Sequence, residues 1–230
     1  MEEADSLGLV YQLPKNANPT KQPVSLHSLL HKTADAVAGF RPPELEQRLY
    51  LAQQLAGSIY SFGLVRWLHK DFNCRNVIFF RDTSQTAKIM LDSPYITGFS
   101  ISRPDNENEK SLNKDLEALS IYLHPDLRIK DPEQRPKYHR KYDIYSLGLV
   151  LFEIGIWNSI DHVAKASLEP EEFKKTVVDR CTKDLPFFVG TKYRDIVLRC
   201  LLCADEKADE VASSLDTLYW SIVLELAKCR

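Results

Sequence analysis

"YDIYSLGLVLFEIGIW", Tyr142 to Trp157, is apolar, aromatic or small at nearly every position after Asp143. A helix that is hydrophobic all round has no face to give to water and is buried on every side. The run is too short to cross a bilayer and carries Glu153, so it reads as the central helix of a protein core. Such a helix needs neighbours to cover it, and the rest of the chain supplies them. Downstream, amphipathic stretches are expected as helices over about Pro170 to Lys183, Lys192 to Cys203 and Glu206 to Lys228. Upstream, Leu45, Leu49, Ala52, Leu55, Ala56 and Ile59 keep helical spacing, which predicts a helix from about Glu44 to Val65. "VSLHSLLHK" reads as one short helix.

β structure is confined to small pieces. "NVIFF" and "AKIMLD" are β-rich runs separated by "RDTSQT", a hairpin pattern, and "LGLVYQLP" (Leu7 to Pro14) reads as a short buried strand stopped by proline. "RPDNENEKSLNKD", Arg103 to Asp115, is charged and lacks aromatics, so it is expected as a surface loop. The fold class is therefore mainly α (α+β overall), with a small β-hairpin insertion and no interior domain boundary.

With 30 basic and 32 acidic residues in 230, the formal net charge is −2, which gives no electrostatic reason to bind nucleic acid or an anionic membrane. The acidic start "MEEADSLGLV" lacks the basic n-region and long apolar stretch of a secretory signal. Five cysteines without framework spacing point to reduced thiols and a cytoplasmic location.

The chemistry-bearing stretch is "WLHKDFNCRNVIFF", Trp67 to Phe80, where Asp71 and Asn76 stand five residues apart on a polar loop between apolar runs. An Asp and an Asn in such a loop also serve as turn formers. Their surroundings add more. His69-Lys70-Asp71 with Asn76, then His124-Pro125-Asp126, then Asp143, Tyr145, Ser146 and Gly148 at the start of the central helix, come in order along the chain. This order resembles the C-terminal lobe of the eukaryotic protein-kinase fold, whose marks are H-R-D with its Asn, A-P-E and D-x-W-S-x-G. "YITGFSISRP", "HPDLR" and "YDIYSLGLVLFEIGIW" also look like a group of fungal kinase-like proteins, in which such a domain often follows a helical domain linked to prion-type signalling and cell death.

The resemblance implies that Asp71 orients the attacking hydroxyl as catalytic base, that Asn76 helps hold Mg²⁺ and that His69 packs the loop structurally. It implies that Asp143 hydrogen-bonds the loop backbone, that Asp126 pairs with a later cation (Lys207 or Arg199), and that Tyr11, Gln12 and Leu13 are the hinge facing an adenine. On this reading residues 1–14 are a hinge-strand remnant of an N-lobe and residues 15–230 a C-terminal lobe. ATP and Mg²⁺ are the cofactors if the protein is active, and none otherwise.

Three departures bear on activity and its regulation. Where kinases carry D-F-G, this chain has Gly98-Phe99-Ser100. Phe99 is expected to plug the core, but no carboxylate stands ready for the metal, whose charge stabilisation is worth several kcal/mol. Asp92 and Asp105 are near in sequence only. No glycine-rich loop or strand lysine is present either, so the N-lobe is expected to be absent except for the hinge strand. Lys70 in place of the H-R-D arginine makes a poorer bidentate phosphate partner.

The expected function is thus a pseudokinase-like interaction and signalling module, with a protein partner over the missing N-lobe surface, flanked by "RLYLAQQLAGSIY" and "LGLVYQLP". The alternative is an ATP-dependent Ser/Thr kinase represented without its N-lobe. Cys200 and Cys203 fit a helical core, Cys74 is expected as a bystander thiol with a pKa lowered somewhat by Arg75, and His27, His31, His139 and His162 are scattered without the look of a metal cluster.

Overall fold

The computed structural model describes residues 12–31, 40–105, 121–129, 131–164, 169–205 and 215–229. Along the chain run β1 (Val24–Ser25), α1 (Leu26–His31), α2 (Leu45–Leu64), β2 (Trp67–Leu68), β3 (Val77–Phe79), β4 (Tyr95–Ile96) and β5 (Arg103–Pro104). They are followed by α3 (Arg140–Ile156), α4 (Asp161–Ala164), α5 (Pro170–Leu202) and α6 (Leu215–Ala227). The protein is mainly helical with small antiparallel sheets. Among the described residues no helix is long and apolar enough to cross a membrane.

The helix that the opening stretch predicts is α3, and every residue from Lys141 to Gly155 in it is buried. It lies against α2 and α5, while α6 packs on α2 and α5 and closes the helical layer. Small residues let these helices approach. A Cβ added to Gly148 would stand 2.8 Å from the Cys200 Cβ, and one added to Gly155 would stand 2.6 Å from Leu185 Cδ2. Cys200 and Cys203 are both buried in this contact. At the far end of α3, Arg48 from α2 donates to the Gly155 carbonyl at 3.0 Å, satisfying one orphan group of the helix terminus.

α5 joins the two helices predicted at Pro170 and Lys192 into one element broken at Gly190 (φ 83°, ψ 166°), so helix continues well past Lys183. A left-handed φ suits glycine alone at no steric cost. Just before that break, Phe187 is 90% exposed. α6 is described over Leu215–Ala227, and the predicted start at Glu206 falls on residues 206–214, which lie outside the described region.

β3 is the middle strand of a three-stranded sheet, between β1 and β4. The hairpin after it does form, through Asp82 N–H to the Lys88 carbonyl (2.8 Å) and Met90 N–H to the Phe80 carbonyl (2.9 Å). "AKIMLD" is nevertheless not a strand. It makes a single bridge, Arg81 to Ile89, before the chain turns, and the edge beside β3 belongs instead to Tyr95–Ile96. The loop predicted at Arg103 begins as β5, paired antiparallel with β2, and the Asp105 N–H adds a 2.7 Å bond to the Arg66 carbonyl. Of the predicted hinge strand, Tyr11 is outside the described residues, while Gln12 and Leu13 are exposed in irregular backbone.

The glycine contacts give a paired test. Gly148→Ala should lower unfolding free energy by about 2 kcal/mol, because the added methyl overpacks the α3–α5 contact. Gly57→Ala in α2, where nothing lies within 4 Å of the new methyl, should raise it by roughly 0.5–1 kcal/mol. Urea denaturation of both variants measures the difference.

Candidate functional site

The site is built from Asp143 outward. Its carboxylate, 3% exposed in the first turn of α3, accepts the His69 N–H (3.0 Å), the Lys70 N–H (2.9 Å) and the Tyr138 hydroxyl (2.7 Å). Burial pushes its carboxyl above the usual range, and the neighbouring His69 with these three donors pulls it back. Lys70 is held at φ 70°, a left-handed conformation that costs a non-glycine residue about 1–2 kcal/mol. Two N–H groups fixed on one buried carboxylate offset that strain. The Lys70 ammonium lies over the Tyr138 ring, 5.7 Å from its centroid.

His69 is fully buried among Phe62, Phe72 and Phe99. Its Nε2 donates to the Thr97 carbonyl (2.9 Å) and its Nδ1 accepts the Asp71 N–H (3.3 Å). Burial lowers its pKa, which keeps the ring neutral. Phe99, half-buried, sits 4.9 Å from it, ring centroid to centroid.

Asp71 and Asn76 are brought together and face each other. Asn76 Nδ2 donates to the Asp71 carbonyl (2.8 Å) and to Asp71 Oδ2 (2.9 Å). Asn73, which the sequence reading passed over, donates to the Asp71 carbonyl and to Oδ1 (2.8 Å) while its own oxygen accepts the N–H groups of Arg75 and Asn76. An Asn opening a short turn is a capping signal legible in "DFNCRN". Both carboxylate oxygens of Asp71 thus already hold amide donors, and burial raises its pKa against their pull.

Gly98 closes the other side. Its φ is 85°, and a Cβ there would stand 2.3 Å from Asn76 Nδ2 and 2.4 Å from Asn76 Cγ. The Asn76 amide occupies the space that any side chain at position 98 would need. Neither nearby carboxylate takes its place. Asp92 lines a cleft of about 520 Å³ with Glu46, Tyr50 and Lys88, and Asp105 lines another with Arg66, His139 and Tyr142.

Beneath the loop lies a second buried carboxylate. Glu153 of α3 accepts the Tyr122 hydroxyl (2.8 Å) and the Ile160 N–H (3.0 Å), and Cys74 Sγ is 2.9 Å from the same hydroxyl. Burial pushes the Glu153 carboxyl up to about 8. The Cys74 thiol is raised by burial and by Glu153, and the pull of Arg75 is the weakest contribution, which reverses the sequence expectation. A single Glu within an apolar helix was the available signal for this cluster.

Asp126 receives the Tyr142 hydroxyl (3.3 Å) and lies 3.4 Å from His124 Nδ1. Arg199, one of its two proposed partners, is bound to Glu225, and Lys207 is outside the described residues. A buried cation in that region is Lys174, which bonds His124 and Asp205. Two of the histidines that the sequence shows as scattered, without the look of a metal cluster, converge instead on Asp161: the Nε2 atoms of His27 and His31 lie 3.4 and 2.8 Å from Asp161 Oδ2.

Residues 5–228 match the model of a family described as a domain of unknown function, DUF7580, and the chain belongs to that family. No curated protein matches it.

Asp143→Asn should cost about 3 kcal/mol in a urea titration, since its amide turns a donor toward N–H groups that stay buried. The pH test concerns Glu153. Its folded value near 8 lies above the ordinary 4.5, so the folded state holds a proton that the unfolded chain releases. Its contribution is complete below about pH 4.5 and declines as pH rises toward 8. The stability difference between the unsubstituted protein and Glu153→Gln should shrink or reverse over that window, and a pH-independent difference would contradict the assignment.

Proposed function

We propose that this DUF7580 member is a protein-kinase-like C-terminal lobe that no longer transfers phosphate and works as an interaction and signalling module. The observation that carries the reading is the contact between Gly98 and Asn76. Phosphoryl transfer in the kinase pattern needs a metal-binding carboxylate at that position, a free Asn oxygen turned to the metal and a base open to the hydroxyl. Here position 98 has no side chain, the Asn76 amide fills its place, and both oxygens of Asp71 are bound by Asn73 and Asn76. Three features support the kinase-like part of the reading: the Asp143 carboxylate on the backbone of the Asp71 loop, the neutral His69 inside that loop, and the order of the motifs along the chain.

The interaction role rests on apolar surface. Leu64, Val65 and Trp67, 57, 70 and 38% exposed, form an uncovered turn leading directly into the loop. They replace "RLYLAQQLAGSIY" as the flank of a partner surface, because Leu49, Leu51, Ala52, Leu55, Ala56 and Ile59 are buried against the helical core. A protein partner over this side of the molecule accounts for that exposure better than solvent does.

Thermal melting with and without Mg²⁺·ATP tests the reading. No shift is expected for the unsubstituted chain. Gly98→Asp should not create one and should lower stability by about 2 kcal/mol or more, from the left-handed backbone and the collision with Asn76. A reproducible rise in midpoint with Mg²⁺·ATP that disappears in Asn76→Ala would overturn the proposal in favour of an active kinase.

A further inference from the structure

We propose that His27, His31 and Asp161 form a binding site for a divalent transition metal, zinc by donor type, that ties α1 to the start of α4.

His27 and His31 are four residues apart on α1, so their side chains share one face of the helix. Their rings lie 4.2 Å apart, centroid to centroid, tilted by 41°, and both turn Nε2 to the same oxygen, Asp161 Oδ2. The three candidate ligand atoms all lie within 4.8 Å of one another. Zinc–nitrogen and zinc–oxygen bonds of about 2.0–2.1 Å in a tetrahedron set ligand atoms roughly 3.3 Å apart. The His27–Asp161 separation of 3.4 Å already matches, and the His31–Asp161 separation of 2.8 Å needs only a small opening.

The frame under these ligands is rigid. α1 is anchored through buried Leu26, Leu29 and Leu30. Asp161 follows Ile160, whose N–H ends on Glu153, and its own N–H is bound by the Ser159 hydroxyl at 3.1 Å. The side chains are 18, 21 and 22% exposed, which leaves a path for an ion and room for water at a fourth position. The His162 ring lies 6.2 Å from that of His31 and borders this open side.

Two imidazoles and one carboxylate select zinc, cobalt, nickel or copper over magnesium or calcium, which favour oxygen ligands. Among the described residues the cation paired with Asp161 is Arg75, whose Nη2 lies 3.8 Å from Asp161 Oδ2 and whose side chain is 46% exposed, so an arriving ion displaces it into solvent. Arg75 lies in the turn between Cys74 and Asn76, so the proposed metal adjoins the Asp71 loop without using any of its side chains. The inference is independent of the kinase-like reading.

Cobalt(II) titration of the full chain, followed by visible absorption, is the first measurement, with zinc calorimetry beside it. The expected result is one equivalent bound, tetrahedral d–d bands and no thiolate charge-transfer band, with a midpoint of melting raised by zinc. His27→Gln and Asp161→Asn should each weaken zinc by about 100-fold or more, since even the loss of an outer partner costs 10–100-fold. Far-ultraviolet circular dichroism without metal confirms that each variant is folded. His27→Gln, on a short surface-facing helix, remains informative if Asp161→Asn does not fold. Absence of stoichiometric uptake overturns the proposal, leaving a His–Asp hydrogen-bonded cluster only. Uptake unchanged in folded His27→Gln, or a thiolate band marking the cysteines, overturns it equally.

Discussion

The Asp143 carboxylate is the interaction on which the loop and its surroundings depend. A loop that leaves β2 and must return into β3 has several backbone N–H groups with no strand partner, and burial makes each one costly. Asp143 answers two of them with one side chain, and Tyr138 completes its shell. This contact permits Lys70 its left-handed backbone, and that turn delivers His69 inward and Asp71 toward Asn76. Its placement follows from the first turn of α3, so a helix buried along nearly its whole length fixes the geometry of the polar Asp71 loop.

α3 carries this role at both ends. Asp143 near its start holds the top of the loop, and Glu153 near its end holds the underside through Tyr122 and the chain that leads into α4 through Ile160. Burial raises both carboxyls above their ordinary range, and what each has to counter it differs. Asp143 has two backbone N–H groups and a hydroxyl pointing at it, which favour the anion. Glu153 is fully buried, with the Tyr122 hydroxyl and a single backbone N–H, and retains its proton near neutrality. Cys74, sharing the Tyr122 hydroxyl, is kept as an inert thiol by the same burial.

Much of this architecture was legible in the sequence because it rests on periodicity. α2 and α3 announce themselves by apolar spacing, and the buried state of α3 follows from having no polar face. The paired placement of Asp71 and Asn76 was legible as an offset on a loop. What was not legible depends on contacts between distant segments. His27 and Asp161 are separated by 134 residues, and nothing local marks them as neighbours. The strand at Arg103–Pro104 was hidden because its pairing with Trp67–Leu68 is supplied by another part of the chain, while its own residues read as a charged loop. "AKIMLD" erred in the other direction: β propensity was present, but the turn after Met90 removed the edge it needed.

Gly98 shows how the absence of one side chain decides the way a polar loop is held. On the proposed kinase-like reading a carboxylate at position 98 would share a metal site with Asp71 and Asn76, and such a group needs an ion to be at rest. With glycine at position 98 the amide of Asn76 moves into the vacant space, and Asp71 and Asn76 satisfy each other without any ion. Asn73 then closes the remaining oxygen of Asp71. Presence of the Asp and Asn therefore does not by itself require catalysis, because each is the hydrogen-bond partner that makes burial of the other affordable. The loop keeps its shape for the reason that buried polar groups generally do: every donor and acceptor that loses water must find a partner.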